Sequence, residues 1–327
     1  MEKKIKKALI IRLSSLGDVV IASSILEFLY RHEVEVHFAV YEEFADIFEG
    51  DPRISKLFRI KRTLKGKLAA IKEIRSEEYD LVVDLHKKFF PVILSLFART
   101  KWRTSYRKNS FERYLAVCLK KKIEESPLHK RYVEAVKKYF EIKEVPLPEL
   151  ISLKKPDFEL PPEYAVFVPG ASKKTKRWPM EYFLELGKLI HERFKIPVVI
   201  IGKEKYAESY PEGFINLEHK TTLRELLYIL KNARFVVSND TGPAHMAAAV
   251  GTPLFVVFGP TIPEFGFRPA GKGYVKVFEK NLPCRPCSLH GSDQCPLGHL
   301  KCILDIKPEE IYSEIERFFS GSAYQDF

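Results

Sequence analysis

The chain has 327 residues, 46% of them hydrophobic, with 54 Lys and Arg against 43 Asp and Glu, a formal net charge of +11. That length predicts two domains of roughly 150 residues each. No run of about 18 apolar residues occurs, and the start MEKKIKKALIIRL reaches Ser14 and Ser15 too soon for a secretory leader, so the sequence excludes a helical membrane protein and predicts a cytoplasmic one.

The charge is uneven. Residues 1–155 hold 33 basic and 22 acidic side chains, whereas residues 156–327 hold 21 of each. A basic half beside a neutral half predicts that one domain meets an anionic surface while the other does different work. Nucleic acid is not the expected partner, because no recognition motif and no interleaved aromatic pattern accompanies the charge.

In chain order, KKALIIRL, VEVHFAV and DLVVDL read as strands of the first half, alternating with helical patterns. The first strand runs into Ser14-Ser15-Leu16-Gly17-Asp18 and then an apolar helix, which makes Asp18 either a helix cap or a carboxylate at the mouth of a cleft. A proline-rich stretch over 145–162 marks the boundary between domains of residues 1–155 and 156–327. YAVFVPG, PVVIIG, ARFVVSN and PLFVVFGP read as strands of the second half, giving an α/β protein of two doubly wound domains facing a central cleft. Ligands in such sheets bind beyond the carboxyl ends of the strands.

Two loops of the second half carry anion-binding chemistry. After YAVFVPG, the stretch Ala171 to Pro179 supplies Ser172, Lys173, Lys174, Lys176 and Arg177, enough charge and donors for a phosphate. After ARFVVS, Asn239-Asp240-Thr241-Gly242 turn the chain and Pro243 opens a helix whose free N–H groups suit a diphosphate. Asp240 beside such a site suits sugar hydroxyls or restraint by His245, and His245 itself reads equally as a core histidine. Neither G-x-G-x-x-G nor G-x-x-x-x-G-K-[ST] is present, which removes the main support for a dehydrogenase or a P-loop enzyme. Near the end, Cys284, Cys287, Cys295 and Cys302 can supply four thiolates to zinc or stand as free thiols or disulfides. An amphipathic helix, KPEEIYSEIERFFS, closes the chain.

IIRLSSLGDVVIASSIL, GASKKTKRWP, VSNDTGPAHMAAAVGTP and CRPC…CPLGHLKC together resemble the bacterial lipopolysaccharide heptosyltransferases, glycosyltransferase family 9, in the right order and over nearly the whole chain. The resemblance implies the GT-B fold and an inverting transfer of heptose from ADP-heptose to the lipopolysaccharide inner core, at the cytoplasmic face of the inner membrane. It implies Asp18 as general base, Lys176 on the donor diphosphate, and Ser172, Asp240, Thr241, Gly242 and His245 as donor-binding residues. Glu204 in IIGKEKYAE is the expected donor-contacting glutamate. Ser15, Gly17, His86 and Lys87 are expected on the acceptor side, Kdo-lipid A or a heptosylated core. No cofactor or metal is expected for the reaction. The clusters Arg59-Ile60-Lys61-Arg62, Lys101-Trp102-Arg103 and Lys120-Lys121-Lys122 are expected to meet acceptor phosphates or the anionic membrane surface. A transferase of the same fold with another nucleotide sugar, and a non-catalytic lipopolysaccharide-binding relative, are the alternatives.

Overall fold

The computed structural model describes residues 4–123 and 126–321. β1 (Lys7–Ile11), β2 (Glu35–Tyr41), β3 (Lys56–Ile60), β4 (Glu78–Asp84) and β5 (Arg99–Ser105) form one sheet in the order β3-β2-β1-β4-β5. β6 (Ala165–Val168), β7 (Val198–Gly202), β8 (Phe214–Glu218), β9 (Phe235–Asn239), β10 (Leu254–Val257) and β11 (Val275–Phe278) form a second in the order β11-β10-β9-β6-β7-β8. All neighbouring strands are parallel; Ala8 lies opposite both Val36 and Leu81, and Val166 opposite both Val199 and Val236.

The seven apolar runs read from the sequence are the seven inner strands. The four strands that the reading left out, β3, β5, β8 and β11, are the four outer ones. An inner strand of a parallel sheet is covered on both faces and becomes continuously apolar, whereas an outer strand keeps polar residues. β5, RTKWRTS, alternates exposed and half-buried positions along its length.

The alternation of side chains sorts each inner strand into two cores. Ala8 and Ile10 face one apolar cluster and Leu9 and Ile11 another; Val166 and Val168 share the first cluster with Ala8, while Ala165 and Phe167 face a third. The first cluster is therefore common to the two halves. It contains Val19, Val20, Leu26 and Tyr132 from the first half and Leu227, Met246, Ala247 and Phe258 from the second. The terminal helix Pro308–Phe319, which the sequence leaves unplaced, packs through Ile311, Ile315 and Phe318 on the outer face of the second sheet beside the helix Met180–Phe194.

Two of the basic clusters expected to meet acceptor or membrane are committed within the first sheet. Arg59 pairs with Asp46 at 2.7 Å and with Glu49, and Lys101 with Asp80 at 2.6 Å. Arg103 donates to the carbonyls of Ser95 and Ala98 at 2.8 and 2.7 Å, closing the end of the helix Phe89–Phe97 as cations do at helix C-termini.

Candidate active site

The carboxyl ends of both sheets open on one cavity of about 1280 Å³. On the first side, β1 hands over to a short helix, Leu16–Ile21, whose N-cap is Ser15. Ser15 Oγ donates to Asp18 Oδ2 at 2.7 Å and Ser15 N–H to the same oxygen at 3.2 Å, so Asp18 does close a capping box. It is more than a cap. Arg12, at the end of β1, brings a guanidinium nitrogen to within 2.5 Å of that oxygen while its other arm donates to the carbonyl of Leu85. Burial alone would raise the pKa of Asp18, but the Arg12 charge and the Ser15 hydrogen bonds outweigh it and hold the carboxyl below its ordinary value. A fifth of the Asp18 side chain stays open to the cavity.

His86 follows β4 into the same cavity. Its Nδ1 accepts from the Leu13 N–H at 3.2 Å, which leaves Nε2 as the protonated nitrogen. Burial, with Arg12 and Lys88 adding repulsion, pushes its pKa down to about 3, so the ring is neutral at physiological pH. Lys87 departs from expectation. The backbone at Lys87 is left-handed, φ 51°, where Asp84 Oδ1 accepts from the N–H groups of His86 and Lys87, and this turn sends Lys87 to a shallow hollow beside Val92 and Arg103 while Lys88 lines the cavity. Tyr106, Lys108 and Arg113 complete this wall and escaped the sequence reading; KNSFERY offers no signal beyond charge. Burial, then repulsion from Lys88 and Arg12, lowers the pKa of Lys108.

On the second side, the loops after β6 and β9 are tied together by Asn239. Its Oδ1 accepts from the Trp178 N–H at 3.0 Å and its Nδ2 donates to the Pro169 carbonyl at 2.7 Å, all of it buried. That places Lys176 against Asp240 at 2.5 Å, and Thr261 Oγ1 donates to the same Asp240 oxygen at 3.0 Å. Asp240 is therefore restrained by Lys176 and Thr261. Thr241 is the N-cap of the helix Gly242–Ala249, with Pro243 in its first turn. Ser172 lies exposed at the cavity rim. Glu204, after β7, lines the cavity and is engaged by Arg177 at 2.7 Å.

The two sides touch through small residues. A Cβ on Gly17 would meet His245 Cδ2 at 2.7 Å, and one on Gly242 would meet the side chain of Leu16 at 2.8 Å. The helices Leu16–Ile21 and Gly242–Ala249 thus pack directly on one another. His245 is buried, 6% exposed, and its Nδ1 has no hydrogen-bond partner among the described residues. Burial lowers its pKa against the attraction of Asp240 and Asp18, which keeps the ring neutral.

The segment with the four cysteines braces the Lys176 loop. Thr175 N–H and Oγ1 donate to the Ser292 carbonyl at 3.1 and 2.7 Å, Lys173 pairs with Asp293 at 3.1 Å, and a Cβ on Gly291 would meet the Lys176 stem at 2.8 Å. Cys284, Cys287 and Cys295 are half-buried, Cys302 is buried, and all four are free thiols. Burial, then the neighbouring thiols, pushes Cys302 up to about 11. Among the described residues no group of three His, Cys, Asp or Glu side chains is arranged to hold a metal ion.

A carboxylate from one sheet therefore faces a lysine and a helix N-terminus from the other across a cavity large enough for two substrates. Two doubly wound parallel sheets around such a cleft form the GT-B architecture. The model of "Glycosyltransferase family 9 (heptosyltransferase)" matches residues 67–299, and the chain belongs to that family. It is 27% identical over 326 residues to lipooligosaccharide heptosyltransferase 2 of Campylobacter jejuni, covering 94% of this chain and 96% of the relative. Its fold is similar to that of E. coli ADP-heptose lps heptosyltransferase II, TM-score 0.74 at 20% identity over 97% of this chain and 99% of that one. It is also similar to E. coli heptosyltransferase WaaC with ADP-2-deoxy-2-fluoro heptose, TM-score 0.67 at 21% identity over 95% and 99%.

Proposed function

We propose that the protein moves L-glycero-D-manno-heptose from ADP-heptose to the inner core of lipopolysaccharide, with inversion at the anomeric carbon. The observation that carries this reading is the opposition of Asp18 to Lys176 and the Gly242–Ala249 N-terminus across one cavity. Asp18 takes the proton of the acceptor hydroxyl as that oxygen bonds to the anomeric carbon, and the bond from that carbon to the diphosphate breaks on the opposite side. ADP leaves with the electron pair. Its growing charge is met by Lys176, which exchanges Asp240 for phosphate, and by the free N–H groups at Gly242 and beyond. Glu204, Ser172 and Asp240 bind donor hydroxyls, while Ser15, His86 and Lys88 face the acceptor. Domain closure over this cleft would exclude water that hydrolyses the donor. The reading places the protein on the cytoplasmic face of the inner membrane, held peripherally; no helix among the described residues is long and apolar enough to cross a bilayer.

Mass spectrometry of a heptose-deficient Kdo-lipid A acceptor after incubation with ADP-heptose tests the reading. One heptose is gained with the native protein, and Asp18→Asn slows transfer by about 10²- to 10⁴-fold while ADP binding persists. Transfer from another nucleotide sugar in preference to ADP-heptose, or undiminished transfer by Asp18→Asn, overturns it.

A further inference from the structure

The first half leaves large apolar side chains in water beside the cavity. Lys88 lines the cavity and is the N-cap of the helix Phe89–Phe97, whose first residue, Phe89, is 84% exposed; Leu96 on the same helix is 65% exposed. Ser110 lines the cavity too and starts the helix Ser110–Leu119, on which Phe111 and Leu119 are 70% and 69% exposed. The helix Leu64–Arg75 lies alongside Phe89–Phe97, with Lys67 Nζ 5.2 Å from the Phe90 ring centre, and adds exposed Leu64 and Leu68. Exposed apolar side chains scattered singly need no explanation, but Leu64, Leu68, Phe89 and Leu96 are carried by two helices in contact at the rim of the cavity, and that set does.

The charge around these side chains is one-sided. Residues 61–75 hold six Lys and Arg and one acidic residue, 85–103 hold five and none, and 107–122 hold six and one; of these cations Lys61, Arg62, Arg99, Lys101 and Arg107 pair with carboxylates and Arg103 with backbone carbonyls, and the others carry the excess. Lys65, Lys87 and Lys88 pair with no carboxylate among the described residues, in contrast to Arg59 and Lys101. Apolar side chains set among unpaired cations match an anionic bilayer: the rings and branched chains enter the acyl boundary while the ammonium groups stay at the phosphates. A soluble protein partner would need carboxylates in place of a continuous phosphate plane.

We propose that the exposed face made by the helices Leu64–Arg75 and Phe89–Phe97, with Phe111 at the same cavity rim, docks on an anionic phospholipid surface, turning the acceptor side of the cavity toward the membrane. This rests on the transferase reading in one respect: a lipid-borne acceptor gives the docked orientation its use. Because Phe89 and Phe111 each follow a cavity-lining residue, a sugar on a membrane lipid reaches Asp18 without leaving the interface.

Flotation of the full chain with vesicles tests the proposal. The native protein is expected to bind vesicles of phosphatidylcholine and phosphatidylglycerol in equal parts and not vesicles of phosphatidylcholine alone. The triple variant Leu68→Glu, Phe89→Glu, Leu96→Glu is expected to lose about a hundredfold in partitioning, with an unchanged melting temperature and unchanged ADP binding. Equal binding to both vesicle types, undiminished partitioning of the variant, or a native dimer that the variant converts to monomer each overturns it, the last because the face then belongs to a second copy. Transfer to a deacylated, water-soluble acceptor reads the other reading separately: the variant keeps it if the face serves only docking, and its absence in the native protein strikes the transferase reading alone.

Discussion

Asp18, the base we propose, has surroundings that oppose its protonation, and the opposition comes chiefly from one residue. Burial raises its pKa, and Arg12 with Ser15 brings it below the ordinary carboxylate value. The sign follows from linkage: a depressed carboxylate contributes stability above its unfolded pKa and loses it as pH falls through the folded one. Activity that needs the ionised form therefore persists into acid solution. In Arg12→Met only the Ser15 hydrogen bonds still oppose burial, so the Asp18 pKa rises, and the acid limb of kcat/KM is expected to move to higher pH. His86, which Arg12 also holds down, gains basicity in the same variant. The limb should stay displaced in Arg12→Met with His86→Gln, since the mechanism assigns the proton to Asp18. Stability at neutral pH should fall by about 3 kcal/mol, the scale for stripping one partner from a buried ion pair; Arg12 has only 7% of its side chain exposed. A pH profile of Arg12→Met that overlies the native one removes Arg12 from this role.

Gly17 and Gly242 matter through the elements they let approach. Neither has positive φ. Their common feature is steric, since Gly17 faces the His245 ring and Gly242 the Leu16 side chain at distances no Cβ tolerates. Gly17→Ala and Gly242→Ala should each separate the helices Leu16–Ile21 and Gly242–Ala249, costing about 1–3 kcal/mol as overpacking does. Activity should fall more than ADP binding in Gly17→Ala, because Asp18 sits one residue further along; chemical denaturation and steady-state kinetics on the pair check this. From the sequence, Gly17 suits a tight turn or a nearby ligand and Gly242 a nearby anion; that each instead admits a side chain of the opposite helix is not legible there, because the other party is some 225 residues away. The same limit explains the rest of the site. Asp18, His86, Lys176, Asp240, Thr241 and His245 were legible because they follow apolar strands, and Glu204 through the family resemblance, whereas Tyr106, Lys108 and Arg113 follow β5, an outer strand with no apolar run to announce it. Lys87 and Lys88 were indistinguishable as letters; a left-handed backbone at one position decides which faces the cavity.

At the scale of the whole molecule, two sheets of separate topology share one apolar cluster. A linker rich in proline suggests halves that fold alone, yet Val20, Leu26 and Tyr132 belong to the same buried cluster as Leu227, Met246 and Phe258. Backbone hydrogen bonds cross as well: Leu128 N–H donates to the Gly266 carbonyl at 2.9 Å and Leu150 N–H to the Ala249 carbonyl at 3.2 Å. Unfolding one half alone would expose apolar surface of the other, at a cost of about 25 cal/mol for each Å². Thermal unfolding is therefore expected to be a single transition when followed by far-ultraviolet circular dichroism and by the fluorescence of Trp102 and Trp178, which lie in different halves. Trp178 is fully buried with its Nε1 donating to the Ile306 carbonyl, and Trp102 is half-buried in β5, so the two report on different sheets. ADP at a hundredfold excess over its Kd should then stabilise the protein by about 2.7 kcal/mol and move the signals of both tryptophans together. With Trp102→Phe and Trp178→Phe variants separating the signals, an ADP shift confined to Trp178 would mean that the second half holds the donor and melts by itself, and that the shared cluster joins the halves too weakly to couple them.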